Sequence, residues 1–264
     1  MLPLFAPGDD PGPDFAELLR RTGLATEPVS TDGIDRSLFA HGTTCVAIRY
    51  ADGVIMAGDR RATSGNWIAH RTIEKVFPAD RYSGVAIAGA AGPAVEMVRL
   101  FQLQLEHYEK VEGGNLSLEG KANQLSQMVR SNLPAAMSGM VVVPIFAGYD
   151  TARDVGRLFQ YDVTGGRYEE ANHAATGSGS MHATTVIKLG YQEDLQRDET
   201  VDLVLRALWE AADEDSATGG PDLIRGIFPV VATITAAGFD RLTDDELESR
   251  TDGLLQRIRG GDAR

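Results

Sequence analysis

The sequence predicts an α+β fold in which two antiparallel sheets are stacked face to face and covered by helices on the outside. Three observations favour it. Short apolar runs typical of strands come in groups, helical patterns come between them mostly in pairs, and turn formers such as Asp52-Gly53 separate neighbouring strands. A doubly wound fold would alternate single strands with single helices instead. The predicted order is strands, two helices, strands, two helices, a strand and a helix.

Strands are predicted where short apolar runs are bounded by turn-forming residues. The first two runs flank the turn Ala51-Asp52-Gly53, and an Asp-Gly pair in that position is a strong hairpin signal. Gly165-Gly166 predicts a second turn later in the chain. The predicted strands are residues 44–50, 54–59, 85–89, 142–149, 156–162 and 228–235.

Helices are predicted where apolar residues recur at every third or fourth position. Val95, Val98, Phe101 and Leu105 follow this spacing, and the break at residues 112–115 ends their helix. The next helix, residues 118–132, presents Leu125, Met128 and Val129 on its apolar face. The remaining helices are predicted over residues 181–189, 201–213 and 244–258.

The composition excludes several classes of protein. The chain has 264 residues, 43% of them hydrophobic, and a formal net charge of −13. Nucleic-acid binding needs clustered Lys and Arg, so we expect no nucleic-acid partner. The longest apolar stretch, Val141 to Ala147, is far shorter than the roughly 20 residues of a membrane helix. The only cysteine, Cys45, is expected to be a small buried side chain and excludes an internal disulfide, which fits a cytoplasmic protein.

The first 40 residues differ from the rest of the chain. Their opening is dense in Pro, Gly and Asp, which predicts irregular structure, and its acidic residues argue against a signal peptide. The spacing of Phe15, Leu18 and Leu19 predicts a short amphipathic helix with these residues on one face. This region is either a simple tail or a propeptide that is removed.

The dipeptide Gly42-Thr43 suggests a reason for such removal. A hydroxyl is a weak nucleophile unless a base takes its proton, and an N-terminal threonine carries that base in its own α-amine, whose pKa is about 7.7–8.0. Thr43 is internal, so the preceding peptide bond would have to be cut. Gly42 suits the cut because it has no side chain and permits close approach.

Three further positions strengthen this hypothesis. Asp59 ends the second strand of the predicted hairpin and would return beside Thr43. Lys75, taken to lie in an apolar strand, would stay charged next to Asp59 and help the hydroxyl lose its proton. Gly89 lies between a strand and a helix, where a backbone N–H could stabilise an oxyanion. No phosphate-binding loop pattern accompanies it.

Two later loops complete the candidate residues. One is Gly177-Ser178-Gly179 and the other covers residues 213–220. The second loop lacks the spacing and the final Glu of a calcium-binding EF-hand, so we expect no metal. No other pattern indicates a cofactor.

Taken together, these segments resemble the β-subunit of the proteasome core particle in its actinobacterial form. The resemblance covers residues 41–240, and its specificity comes from the order and spacing of the whole set. The matching segments are His41-Gly42-Thr43-Thr44, Ala57-Gly58-Asp59-Arg60-Arg61, Lys75, Ala88-Gly89, residues 105–110, Gly177-Ser178-Gly179-Ser180 and residues 213–220.

The resemblance implies the four-layer αββα sandwich of N-terminal-nucleophile hydrolases and the activity of a threonine endopeptidase. Residues 1–42 would be a propeptide removed by autocleavage, and residues 43–264 the catalytic domain. Thr43 would be the nucleophile, Asp59 and Lys75 its charged partners, and Gly89 the oxyanion donor. The supporting hydrogen-bond shell would be Ser178, Asp215 and Thr218, where the family most often has serine in place of Thr218.

The resemblance also implies a substrate pocket and an assembly. The pocket positions carry only apolar side chains, which predicts cleavage after hydrophobic residues; they are Ala62, Ile73, Phe77, Ile87, Ala91 and Val95. The assembly would be an α7β7β7α7 particle, with heptameric β rings between rings of α-subunits. An ATP-dependent unfoldase would feed it unfolded proteins.

Three alternatives stay open. The simpler two-ring bacterial threonine protease has a subunit considerably shorter than the stretch from Thr43 to Arg264. A metabolic N-terminal-nucleophile amidase would not need the Gly-Asp-Arg-Arg and Gly-Ser-Gly segments together. A non-catalytic structural ring subunit would lose the threonine or its partners, whereas Thr43, Asp59 and Lys75 are all present.

Overall fold

The computed structural model describes residues 42–260, which form twelve strands and six helices. The strands are β1 (Thr44–Tyr50), β2 (Gly53–Gly58), β3 (Ala62–Ser64), β4 (Trp67–His70), β5 (Val76–Asp80), β6 (Ser83–Gly89), β7 (Val142–Asp150), β8 (Val155–Tyr161), β9 (Arg167–Glu170), β10 (His173–Gly177), β11 (Val230–Thr235) and β12 (Gly238–Arg241). The helices are α1 (Ala91–Glu112), α2 (Leu118–Ser131), α3 (Leu133–Met137), α4 (Ser180–Gly190), α5 (Arg197–Glu214) and α6 (Asp244–Gly260).

Ten of the strands form two five-stranded antiparallel sheets. Sheet I has the strand order β10-β1-β2-β11-β12, and sheet II has the order β5-β6-β7-β8-β9. The remaining pair, β3 and β4, forms a separate hairpin. In sheet I the β1–β2 hairpin pairs Tyr50 with Gly53 and Cys45 with Gly58, so the end of β2 returns to the start of β1.

Strand alternation builds four layers from these sheets. In β1, Cys45 and Ala47 face the core between the two sheets, whereas Val46 and Ile48 face helices α4 and α5. Sheet II repeats the pattern: Ile145 of β7 points into the inter-sheet core and Phe146 packs under α1 and α2. Each sheet is therefore buried on both faces, and the predicted arrangement of two stacked sheets covered by helices is confirmed.

The predicted strands and long helices agree with the structure to within a few residues, but six short elements were not predicted. They are β3, β4, β9, β10, β12 and α3. The placement of Lys75 within a strand was wrong, because β5 begins one residue later at Val76. Helix α5 also extends to Glu214, so the first two residues of the expected loop at 213–220 are helical.

Several expectations concern residues outside the described part of the chain. They are the irregular opening, the short helix through Phe15, Leu18 and Leu19, and His41. The proposed propeptide, residues 1–42, is represented here by Gly42 alone. Among residues 42–260 no helix is long and apolar enough to cross a membrane.

Candidate active site

Thr43 lies immediately before β1 and is buried, with 4% of its surface exposed. Its hydroxyl Oγ1 donates a hydrogen bond to the carbonyl oxygen of Gly42 at 2.8 Å. Its backbone N–H donates to Ser178 Oγ at 3.3 Å. The side chain of Thr43 is therefore held against the peptide bond that precedes it.

Gly42 is closely confined by the loop that carries Ala217. A Cβ atom added to this residue would lie 1.8 Å from Cβ of Ala217 and 2.6 Å from its Cα. Its N–H donates to Thr63 Oγ1 at 3.2 Å. Any larger residue would push the loop of Ala217 away from the start of β1, so the space at this position admits only glycine.

Asp59 reaches the site through the register of the β1–β2 hairpin. It follows Gly58, which pairs with Cys45, so it stands opposite Thr44 and accepts the Thr44 N–H at 2.8 Å. The N–H groups of Arg61 and Gly219 donate to its other oxygen at 2.8 and 2.9 Å. The predicted return of Asp59 to the start of β1 is confirmed.

Lys75 pairs with this fully buried carboxylate. Its Nζ lies 2.7 Å from Asp59 Oδ1, and the two side chains are 6% and 0% exposed. Nζ also donates to the carbonyl oxygens of Arg61 at 2.6 Å and Gly42 at 3.4 Å. A buried ammonium is thus fixed by three acceptors, one of which is the carbonyl that Thr43 Oγ1 also contacts.

Ser178, Asp215 and Thr218 meet on the other side of Thr43. The hydroxyls of Ser178 and Thr218 both donate to Asp215 Oδ2, at 2.5 and 2.6 Å. The Ala217 N–H donates to Asp215 Oδ1 at 3.1 Å. Partial burial raises the pKa of Asp215, but these hydrogen bonds outweigh it and hold the pKa below its ordinary value. The carboxylate is therefore charged at neutral pH.

Gly89 is the last residue of β6 and has a backbone conformation that favours glycine. Its φ is 120°, and a Cβ atom there would lie 2.0 Å from the carbonyl oxygen of Val141. The residue borders a cavity of about 180 Å³ that also contains Thr43. The same cavity is lined by Ile73, Glu74, Lys75, Phe77, Ile87, Ala91, Ala94 and Val95.

The cavity brings together five of the six residues expected in the substrate pocket. The exception is Ala62, which lies in β3, is 4% exposed and does not line the cavity. Glu74 and Ala94 were not expected there. Glu74 carries a charge, but its carboxylate is paired with Arg241 at 2.6 Å. The remaining wall, apart from Thr43 and Lys75, has no polar side chain.

Sequence reasoning missed two residues that hold the site together. Arg61 accepts from Lys75 through its carbonyl oxygen, donates its N–H to Asp59, and donates Nη1 to Ser216 O at 3.0 Å. Thr44 contacts Asp59, Gly179 and Thr218. Both lie within quoted segments, Gly-Thr-Thr and Gly-Asp-Arg-Arg, and the repeated threonine was the available signal.

Two stacked antiparallel sheets between helix layers, with a threonine before the first strand beside a buried lysine and aspartate, are the architecture of the N-terminal-nucleophile hydrolases. The chain belongs to the proteasome subunit family, whose pattern it matches over residues 39–224.

Curated relatives agree with this assignment. A protein of Acidimicrobium ferrooxidans named Proteasome subunit beta is 60% identical over 263 residues, covering 100% of this chain and 96% of the relative. Its namesake in Streptomyces griseus is 61% identical over 217 residues, covering 82% and 77% of the two chains. That of Jonesia denitrificans is 52% identical over 244 residues, covering 92% and 81%. The resemblance to actinobacterial proteasome β-subunits is confirmed.

Proposed function

We propose that this chain is the catalytic β-subunit of a proteasome and a threonine endopeptidase that activates itself by cutting Gly42–Thr43. The observation that carries the proposal is the position of Thr43 Oγ1, 2.8 Å from the Gly42 carbonyl oxygen, with Lys75 Nζ on the same oxygen. Nucleophile, scissile carbonyl and a fixed positive charge thus lie together.

Autocleavage then follows from the contacts of the uncut chain. The Oγ1 of Thr43 attacks the carbonyl carbon of Gly42, while Lys75 stabilises the negative charge that develops on its oxygen. The C–N bond breaks, the proton lost by Oγ1 is transferred to the Thr43 nitrogen, and residues 1–42 remain attached to Oγ1 as an ester. Water hydrolyses the ester, which releases the propeptide acid and leaves Thr43 with a free hydroxyl and a free amine.

The same residues would serve peptide hydrolysis. The new amine of Thr43 takes the hydroxyl proton as Oγ1 attacks a substrate carbonyl. The proton passes to the leaving amine as the peptide bond breaks, and water then hydrolyses the ester on Oγ1. Lys75, held by Asp59, lowers the cost of forming the alkoxide. The hydroxyl of Ser178 donates a hydrogen bond to Asp215. Its oxygen can therefore accept a hydrogen bond from the amine of Thr43 and orient it. The N–H of Gly89 stabilises the oxyanion of the substrate.

The cavity beside Thr43 supports a preference for hydrophobic residues. Its apolar wall is made by Ile73, Phe77, Ile87, Ala91, Ala94 and Val95, and no acid faces the space without a partner. A basic side chain would lose its hydration there without gaining a counter-ion. Fluorogenic peptides ending in a large apolar residue should therefore be cut much faster than those ending in Arg, and equal rates would contradict the preference.

Membership of the proteasome subunit family supports a proposal for how the chain assembles and receives its substrates. We propose that heptameric β rings stack between rings of α-subunits as an α7β7β7α7 particle in the cytoplasm, fed with unfolded proteins by an ATP-dependent unfoldase. A site enclosed in such a chamber needs that supply, because folded proteins cannot enter. The propeptide would keep an unassembled chain inactive.

The threonine mechanism is tested by substitution at Thr43 in particles assembled with the α partner. Thr43→Ala should abolish peptide hydrolysis, and Thr43→Ser should retain part of it, because a hydroxyl and an α-amine remain. A fully active Thr43→Ala particle would contradict the proposal. Absence of activity from the unmodified particle would favour the alternative, a non-catalytic structural ring subunit.

A further inference from the structure

Thr44 has no part in the proposed mechanism, yet its hydroxyl is fully buried among the site residues. Its Oγ1 lies 2.6 Å from Thr218 Oγ1 and accepts the Gly179 N–H at 3.1 Å. Its backbone N–H donates to Asp59. One residue, next to the nucleophile in the chain, therefore contacts both groups of side chains that surround Thr43.

The direction of the Thr44–Thr218 hydrogen bond follows from counting protons. Each threonine hydroxyl has one proton to donate. The hydroxyl of Thr218 donates a hydrogen bond to Asp215 Oδ2 at 2.6 Å, because a carboxylate oxygen can only accept. Thr44 must therefore be the donor to Thr218. The result is a one-way chain from the Gly179 N–H through Thr44 and Thr218 to Asp215.

This chain ends on the carboxylate that also holds Ser178. Asp215 Oδ2 accepts from both Thr218 and Ser178, and Ser178 in turn accepts the Thr43 N–H. Hydrogen bonds linked in this way polarise one another in a buried site. Hydrogen bonds through Thr218 and Asp215 thus link the Thr44 hydroxyl to Ser178 Oγ, which lies beside the nitrogen of Thr43.

The space around Gly179 supports the same conclusion. A Cβ atom at Gly179 would lie 2.3 Å from Thr44 Oγ1 and 2.8 Å from Thr218 Oγ1. The two hydroxyls thus occupy the volume that any side chain at this position would need. Gly177, which pairs with Thr44 across β10 and β1, is equally confined, since its Cβ would lie 1.9 Å from the Thr43 carbonyl oxygen.

We propose that Thr44 is a positioning residue that couples the Asp59–Lys75 ion pair to the Ser178–Asp215–Thr218 group, and so orients the amine of Thr43. The inference rests on the proposed threonine mechanism. Its chemical content is specific: the hydroxyl of Thr44 is needed as a donor to Thr218, and its methyl group is not. Serine can replace Thr44, and valine of nearly the same shape cannot.

The test compares Thr44→Val and Thr44→Ser in particles assembled with the α partner, using a fluorogenic peptide that ends in a large apolar residue. Thr44→Val should lower kcat at least tenfold and leave KM within twofold, because the substrate cavity is untouched. Thr44→Ser should stay within threefold of the unmodified particle. Thr251→Val is the matched control, since Thr251 is 1% exposed and its hydroxyl makes no hydrogen bond in the described structure.

A double substitution distinguishes coupling from a general loss of structure. In the Thr218→Val background the acceptor of the hydrogen bond is already missing, so adding Thr44→Val should cost less than threefold in kcat. Equal kcat for Thr44→Val and the unmodified particle would overturn the inference, as would independent losses in the double variant. Failure of the threonine mechanism itself would appear separately, as activity that survives Thr43→Ala.

If the Thr44→Val particle does not assemble, the acceptor side of the bond gives the answer. Thr218→Ser keeps the hydroxyl and should remain within threefold of the unmodified particle. Thr218→Val removes it and should lower kcat at least tenfold. Equal activity of these two variants would overturn the one-way chain.

Discussion

Replacing Lys75 with methionine removes the buried charge while nearly preserving the volume of the side chain. Breaking a buried ion pair costs about 3–5 kcal/mol. Asp59 keeps three backbone N–H donors, from Thr44, Arg61 and Gly219, so we expect the lower end of that range. Loss of one donor to a developing oxyanion slows a reaction by about 10²–10³-fold. Since Nζ lies 3.4 Å from the Gly42 oxygen, autocleavage should slow about 100-fold, again the lower end.

The assay follows the disappearance of the uncut chain by mass spectrometry after mixing with the α partner. Lys121→Met is the matched control: Lys121 is 5% exposed, lies on helix α2 and pairs with Asp80, the last residue of β5, whereas Lys75 immediately precedes that strand. This control should lose stability and still cut itself at the normal rate. Equal cleavage rates for Lys75→Met and Lys121→Met would refute the role given to the ammonium group.

Three further predictions concern the rest of the site. Gly89→Ala should lower kcat at least tenfold, because its Cβ would meet the Val141 carbonyl oxygen at 2.0 Å, whereas Gly92→Ala, with open space around it, should be neutral; equal kcat would contradict the assigned backbone position. Ala91→Phe should fill the cavity and reduce cleavage after large apolar residues more than after alanine; an unchanged ratio would exclude the cavity as the substrate pocket. The pKa of Asp215 is lower in the folded chain than in the unfolded one, so it stabilises the fold above its ordinary pKa of 3.8, and this stability is lost as pH falls below that value; acid unfolding of Asp215→Asn should be less steep in that range, and an identical pH dependence would contradict the shift.

Most of the fold could be predicted from the sequence, because the short apolar runs of the strands and the helical spacing of apolar residues were both clear. The Asp52-Gly53 turn set the register of the first hairpin, and that register alone carried Asp59 to the start of β1. The short elements gave no such signal. Strand β4 is exposed along its whole length, Trp67 included, so it lacks the alternation that marks a strand. Helix α3 has only five residues and a proline in its first turn.

The site was predictable where it rested on a resemblance to a known family, and less so where it depended on side-chain direction. Ala62 was expected in the pocket, but it lies in β3, is buried and does not line the cavity. Thr44 was interpreted as an ordinary strand residue, because the repeated threonine does not reveal a partner that lies 174 residues away in the sequence. Cys45 was correctly expected to be buried, and burial raises the pKa of its thiol to about 12.

The most direct test of the central claim is the intact mass of the chain after co-expression with its α-subunit. The mechanism predicts loss of residues 1–42 and a new N-terminus at Thr43, with no cleavage in the Thr43→Ala variant. An uncut chain in a fully assembled, peptide-hydrolysing particle would contradict it, because Thr43 would then have no free amine to act as the base.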